Sequence, residues 1–279
     1  MNMKRILYLS FILVVLSFPS SALSQTTVKG CVVNERGEAV EYVSIGFEDD
    51  SVGVISDAKG HFMFTIPAGR KDSLTFSHVS YLTETIPYKT YGHSKDLTVT
   101  LKDKVMELNE VVIGKKNKLH TLSGKSWVSF GAAAHAGNAG ECFEWGPVFS
   151  NRKSHVLSDI LFTVMDCTYE QCTLSFNIYE IRDHQFVNII NKPIYQVVCS
   201  ADSGKLIGVT PSEKIVLKGK REYCVCLCVV ETKGDGAIYF PLTFKSSYAR
   251  NTVKGKRHKY PACPAIIVKG FEMSERSSN

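Results

Sequence analysis

The sequence predicts an all-β fold arranged as two β-sandwich domains. Three observations carry that expectation. From Val28 to Val112 the β-branched and aromatic residues fall in short runs separated by glycine and aspartate turns, with no helical period; a polar, basic joint, Lys115-Lys116-Asn117-Lys118, then interrupts the pattern; and strand-like runs resume beyond it to the end of the chain.

The first residues divide into the three zones of a secretory signal. Lys4 and Arg5 supply charge, Ile6 to Phe18 form an apolar run, and Ser20 to Gln25 are small or polar. Thirteen apolar residues fall short of the roughly 20 that a membrane-spanning helix needs, and no later run is longer. The expected organisation is therefore a signal peptide at 1–24, a first sandwich at 25–114, a linker at 115–118, a second sandwich at 119–272 and a disordered tail at 273–279. The protein is expected to be exported, to the periplasm, the outer membrane or the cell surface, with no transmembrane span after signal removal. Cys31 lies too far beyond the apolar run to carry a lipid anchor.

Charge is uneven along the chain. The segment from Gln25 to Lys118 has 12 basic and 13 acidic residues, whereas Leu119 to Asn279 has 19 and 14. A surplus of that size suits an anionic surface or glycan and is too small to point to nucleic acid, and solvated surface charge is the preferred reading. Lys254-Gly255-Lys256-Arg257-His258-Lys259-Tyr260 is the densest basic run and reads as a solvated loop.

Nine cysteines fit neither a disulfide scaffold nor a zinc pattern. Cys224, Cys226 and Cys228 alternate with Val225, Leu227 and Val229, so the thiols share one face of a strand buried on both sides. Cα atoms two residues apart in a strand stand about 6.6 Å from one another, so three thiolates on one metal would need the strand to bend. Cys167 and Cys172 are spaced to close a small hairpin disulfide. No cofactor and no metal site is expected.

In the first domain Val28 to Asn34 runs into the turn Asn34-Glu35-Arg36-Gly37, and Tyr42 to Glu48 resumes the strand. Val52 to Ile55 leads to the turn Asp57-Ala58-Lys59-Gly60, and His61 to Ile66 leaves it. Gly37 and Gly60 are the expected left-handed turn positions and Asp57 the residue that closes its turn through its carboxylate. Turn and edge roles are preferred to a calcium site for Asp49, Asp50 and Asp57.

Val28-Lys29-Gly30-Cys31-Val32, Gly37-Glu38-Ala39-Val40, Val43-Ser44-Ile45, Ser56-Asp57-Ala58-Lys59-Gly60-His61-Phe62 and Leu74-Thr75-Phe76-Ser77-His78-Val79-Ser80-Tyr81 together resemble the carboxypeptidase-regulatory-like domain. The resemblance implies a transthyretin-like sandwich and no catalysis. Such domains also begin TonB-dependent nutrient receptors of Gram-negative outer membranes, followed by a short acidic and aliphatic segment. Glu107-Leu108-Asn109-Glu110-Val111-Val112-Ile113-Gly114 looks like that segment. It is the candidate interaction segment, with a last sandwich strand or linker as the alternative. A 22-stranded barrel takes roughly 220 residues, and 166 follow Ile113, so an accessory of such a receptor is expected rather than the transporter.

The second domain offers strands at Ser126 to Phe130, Cys142 to Phe149, Ile160 to Met165, Cys172 to Ile181, Ile194 to Cys199, Lys214 to Leu217, Glu222 to Glu231, Ala237 to Phe244 and Ala265 to Phe271. Leu174, Phe176 and Ile178 alternate with Ser175, Asn177 and Tyr179, as in a strand covered on one face. Nine such strands suit a jelly-roll-like sandwich. The order of features is similar to the C-terminal sandwich of other exported proteins of uncharacterised function, which implies a shape and no activity. The Gly/Ala-rich stretch from Gly131 to Gly140 reads as a flexible loop beside His135 and Cys142, and nothing places those two as nucleophile and base. Glu144, Asp159 and Glu180 read as strand-end carboxylates rather than a glycosidase pair. Trp127 and Trp145 are the candidates for ligand stacking, although core packing is the preferred reading at their strand positions.

The expected function is a non-catalytic envelope protein that binds a protein partner or a glycan. The alternatives are an adaptor of a TonB-dependent receptor, working through Glu107 to Gly114, and a glycan-active hydrolase. An outer-membrane receptor or other envelope protein and a glycan are the expected partners.

Overall fold

The computed structural model describes residues 26–48, 53–94, 96–104, 118–124, 130–136, 143–253 and 257–273. Strand makes up 63% of the described residues and helix 3%, an all-β composition. Two separate apolar cores, one drawn from residues 28–101 and one from residues 149–268, make it a pair of sandwiches.

The first sandwich begins with β1 (Thr26–Asn34), β2 (Ser44–Gly46), β3 (Gly53–Ile55) and β4 (His61–Ile66). It continues with β5 (Leu74–Ser77), β6 (Glu84–Ile86), the single-turn helix α1 (Tyr88–Tyr91) and β7 (Asp96–Leu101). One sheet runs β4-β1-β7, with β1 antiparallel to β4 and parallel to β7; the other runs β3-β2-β5-β6. The period of two is plain in β4, where Phe62, Phe64 and Ile66 are buried while His61, Met63 and Thr65 face water. Phe62 meets Phe76 of the opposite sheet edge-on, with ring centroids 5.6 Å apart.

The turns are built by side chains. Asn34 Oδ1 accepts the backbone N–H groups of Arg36 and Glu38, and Gly37 follows at φ +78°. Asp57 Oδ1 accepts those of Lys59 and His61, each at 2.8 Å, and Gly60 sits at φ +75°. A Cβ on Gly60 would also stand 2.5 Å from the Val32 carbonyl oxygen, so both backbone angle and space require glycine there.

The second sandwich comprises β8 (Leu119–Ser123), β9 (Ala132–Ala136), β10 (Phe143–Asn151), β11 (His155–Thr163), β12 (Asp166–Cys167), β13 (Gln171–Arg182) and β14 (Gln185–Asn188). After them come β15 (Ile194–Val198), β16 (Leu206–Val209), β17 (Val216–Leu217), β18 (Arg221–Lys233), β19 (Ala237–Asn251), β20 (Arg257–Pro264) and β21 (Ile266–Glu272). The larger sheet runs β12-β19-β10-β18-β13-β14, with β9 and β20 also on β19 and β15 on β13; the smaller runs β16-β11-β21-β8, with β17 on β11. Their facing sides close over Phe162, Leu174, Phe176, Ile178, Val225 and Val268.

β18 is the central strand, paired to β10 on one side and β13 on the other, and it is buried from Tyr223 to Val230. Val225, Leu227 and Val229 enter the main core. Cys224 and Cys226 lie on the other face, packed with Val148 and Tyr179.

Three local expectations need correction. Cys167 and Cys172 are both free thiols: β12 pairs with β19 rather than with β13, so the two cysteines do not oppose each other in a hairpin. Ala132–Ala136, read as part of a flexible loop, is a strand, because its backbone pairs with Ala237–Pro241 of β19. Arg257 to Tyr260, read as a solvated loop, begins β20; the side chains do stay exposed, but the backbone pairs with β19.

Candidate functional site

The outer face of the larger sheet carries the site. Register places Glu144, Asn177, Tyr179, Cys228 and Arg250 on this face, opposite the main core. The first sandwich lies against it. Tyr42 packs edge-on against Tyr195 with centroids 5.1 Å apart and donates its hydroxyl to Glu231 at 2.9 Å. Ser80 donates to the Asn191 carbonyl at 2.7 Å, and Thr252 Oγ1 donates to Ser44 Oγ at 2.7 Å. Between these contacts lies a cleft of about 270 Å³, walled by His78, Tyr81 and Lys104 from the first sandwich and by Asn177, Phe186 and Arg250 from the second.

Arg250 is the most constrained of these groups. It is 8% exposed, its guanidinium lies 4.6 Å from the centre of the Tyr179 ring and 5.4 Å from that of Phe186, and Nε donates to the Asn251 carbonyl at 3.2 Å. Glu144, fully buried, stands 3.5 Å from Nε as counter-charge. The carboxylate is itself held by Tyr179, at 2.7 Å, and by Asn177, at 2.9 Å. Burial works against the Arg250 charge, but Tyr179 and Glu144 hold its pKa above the ordinary value. Burial beside Glu144 in turn pushes the Tyr179 phenol well above its usual range. Arg250 Nη1 is buried and has no hydrogen-bond partner among the described residues.

His78 stands on the opposite wall. Its Nδ1 accepts the Ser80 backbone N–H at 3.2 Å, so the proton of the neutral ring is on Nε2. Burial lowers its pKa to about 4, which keeps the ring neutral. Nε2–H is a second buried donor without a partner among the described residues. Lys104 adds a cation, its pKa also lowered by burial. The described walls contain Lys104 and Arg250 and neither Asp nor Glu.

A parallel β1–β7 pair beside an antiparallel β1–β4 pair, Asx-closed turns, and a second sheet packed over Phe62 and Phe76 define the first sandwich. Residues 28–113 match the family model of the CarboxypepD_reg-like domain. The CarboxypepD_reg-like domain thus supplies one wall of the cleft, through His78, Tyr81 and Lys104. No curated protein matches the chain. Similar solved structures include the clostridial cysteine protease Cwp84 after propeptide cleavage, at 9% identity and a TM-score of 0.37, over 82% of this chain and 56% of that one. The chain therefore spans little more than half of that protease's length. Another is a carbohydrate-binding module of the beta-sandwich super family, at 9% identity and a TM-score of 0.22, over 80% and 92% of the two chains. A third is infectious bursal disease virus strain Gx, at 8% identity and a TM-score of 0.24, over 94% and 59%. Likeness at this level carries no information on activity.

The positions singled out from sequence are dispersed. Gly37, Asp57 and Gly60 shape turns of the CarboxypepD_reg-like domain. Glu107, Leu108, Asn109, Glu110, Val111, Val112 and Ile113 lie outside the described residues, as do Trp127, Cys142, Asp49 and Asp50. Trp145 faces the inner side of β10, donates to Ser247 Oγ at 2.9 Å and meets Tyr260 edge-on. It lines a separate, mainly apolar hollow of about 290 Å³ with Phe143, Leu227 and Phe240. Glu144 and Glu180 point to opposite faces of the larger sheet, and Asp159 lies in the smaller one. Glu180 is held below its usual pKa by Arg182 although it is buried, and Asp159 by Ser158 and Thr210. The three carboxylates do not form a pair. Arg250 and His78 were not singled out; the only hint of either is an arginine ending the alternating run Ser246-Ser247-Tyr248-Ala249-Arg250, and nothing in that run says what lies opposite. His120, His155 and Glu272 converge elsewhere, at the rim of the second sandwich.

Proposed function

We propose that this is an exported, non-catalytic binding protein of a Gram-negative cell envelope, and that it holds an acidic glycan in the cleft between its two sandwiches. The observation that carries the proposal is Arg250. A buried guanidinium with an unpartnered Nη1, in a cleft whose described walls hold two cations and no carboxylate, is matched by an acceptor that the ligand brings. A sugar carboxylate supplies that acceptor, and Tyr81, Phe186 and Tyr195 supply faces and edges for the sugar ring. The dispersal of Glu144, Asp159 and Glu180 supports binding without hydrolysis. The secretory pattern of residues 1–24, and the likeness of Glu107 to Gly114 to the segment that follows such domains in TonB-dependent receptors, support the envelope setting.

Calorimetric titration with galacturonate oligomers and with neutral glucose oligomers of equal length tests the proposal. The acidic oligomers bind and the neutral ones do not, and both Lys104→Met and Arg250→Lys weaken binding, the latter because lysine keeps the charge beside Glu144 but loses the fork. Equal binding of neutral oligomers, or binding unchanged in both variants, would sink it.

A further inference from the structure

The geometry points to a metal site at the rim of the second sandwich, in which His120, His155 and Glu272 hold a single zinc-type divalent cation. One ring nitrogen from each histidine and one carboxylate oxygen of Glu272 lie within 4.8 Å of one another. Sheet register, not sequence proximity, brings them together. His155 of β11 pairs directly with Glu272 of β21, and His120 of β8 pairs with Gly270. Gly270 and Glu272 are two apart in one strand, so the three side chains rise from one face of three adjacent strands.

Gly270 makes the approach possible. A Cβ there would meet the Val156 carbonyl oxygen at 2.9 Å and His155 Cβ at 3.3 Å, in the ground between the two imidazoles, whose centroids are 5.4 Å apart. The strand end is fixed as well: the Glu272 N–H donates to the Lys118 carbonyl at 3.2 Å, and the Met273 N–H to that of Ser154 at 2.9 Å.

The histidines are set up as ligands. His155 is 5% exposed, and its Nδ1 lies 2.9 Å from the Lys153 carbonyl. A carbonyl only accepts, so Nδ1 carries the proton and the Nε2 lone pair is free, which is the outer-sphere arrangement that orients a metal-binding imidazole. Nε2 of His155 and Nε2 of His120 are both buried and have no hydrogen-bond partner among the described residues. Nε2 of His120 stands 3.6 Å from Glu272 Oε2, close to the roughly 3.4 Å between donor atoms that tetrahedral zinc imposes with bonds of about 2.1 Å. Two imidazoles and one carboxylate suit zinc better than magnesium or calcium, which favour all-oxygen shells, and three protein ligands leave a fourth position for water. Lys153, paired with Glu272 Oε1, is the competitor: its ammonium holds the carboxylate until a cation takes over that charge.

Zinc chloride titrated into the metal-free full-length protein, with cobalt(II) as spectroscopic probe, tests the site. One equivalent of zinc binds, and cobalt gives the intense visible absorption of a tetrahedral nitrogen-oxygen site without the near-ultraviolet band of a cobalt–thiolate bond. His120→Ala, at an edge-strand position that is partly exposed, weakens zinc binding by at least the roughly 100-fold that even outer-sphere partners can contribute. Lys153→Ala tightens it by up to about fivefold, the worth of an exposed ion pair. A thiolate band, or zinc affinity equal in wild type and His120→Ala with the fold intact by circular dichroism, would overturn the assignment. So would weaker binding in Lys153→Ala.

Discussion

Glu144 and Arg250 face each other across the β10–β19 pair, 3.5 Å apart, with the carboxylate fully buried and the guanidinium 8% exposed. Removing one partner of a buried pair costs about 3–5 kcal/mol because the other charge is left uncompensated. Here Asn177 and Tyr179 still hold Glu144, so Arg250→Met is expected at the lower end, about 3 kcal/mol. Glu144→Gln leaves the guanidinium without its counter-charge and is expected to cost a similar amount. The double variant loses less than the sum of the two, measured by urea unfolding in a double-mutant cycle. Additivity within about 0.5 kcal/mol would mean that the pair is not coupled.

Gly146 fixes how closely β10 and β18 approach below that pair. A Cβ there would sit 1.7 Å from the Val225 carbonyl oxygen, and backbone cannot swing aside as a side-chain tip can. Gly146→Ala is expected to cost at least the about 3 kcal/mol at the top of the usual range for overpacking. Gly204→Ala makes the comparison: its Cβ meets nothing within 4 Å, and only its φ of +77° resists, which costs about 1–2 kcal/mol. Thermal unfolding of the two variants should rank them in that order, and a reversal would show that the strands can separate.

Much of the fold is legible because period two survives wherever one face is covered. Leu174, Phe176 and Ile178 enter the core while Ser175, Asn177 and Tyr179 turn away, and the three alternating cysteines of β18 mark a strand covered on both faces. Ala132–Ala136 is not legible, since alanine has little β propensity and the pairing with β19 decides its state. The site is less legible than the fold. Alternation tells which residues share a face but not what covers it, so the run ending at Arg250 does not reveal that His78 lies across the cleft. The same holds for His120, His155 and Glu272, which come from distant strands and meet only through register.

His78 makes stability depend on pH. Its pKa is about 4 when folded and 6.5 when free, so between those values the unfolded chain binds more protons than the folded one. The native state is therefore undiminished by this group above pH 6.5 and loses stability as pH falls towards 4, by up to about 3 kcal/mol. His155, also lowered by burial, acts in the same direction, whereas the lowered carboxyls of Asp159 and Glu180 come into play further down. Urea unfolding at pH 7 and pH 4.5 should show a smaller loss for His78→Gln than for the wild type. An equal loss would place the dependence elsewhere.

Free thiols set the last expectation. Cys167 and Cys172 are unpaired, and burial pushes the Cys172 thiol up to about 12. At pH 8 only about one such thiol in ten thousand is ionised, and the thiolate is the species that reacts. Cys263, at about 11 and also buried, is shielded in the same way. Cys31 and Cys199 are only half-buried. Iodoacetamide under native conditions should therefore label Cys31 and Cys199 well before Cys172 and Cys263, and denaturation should release the buried set. Peptide mass spectrometry reads the order directly. Early labelling of Cys172 would mean that the strand pairing around β13 opens readily, and a Cys167–Cys172 peptide of disulfide mass would mean that the hairpin can close after all.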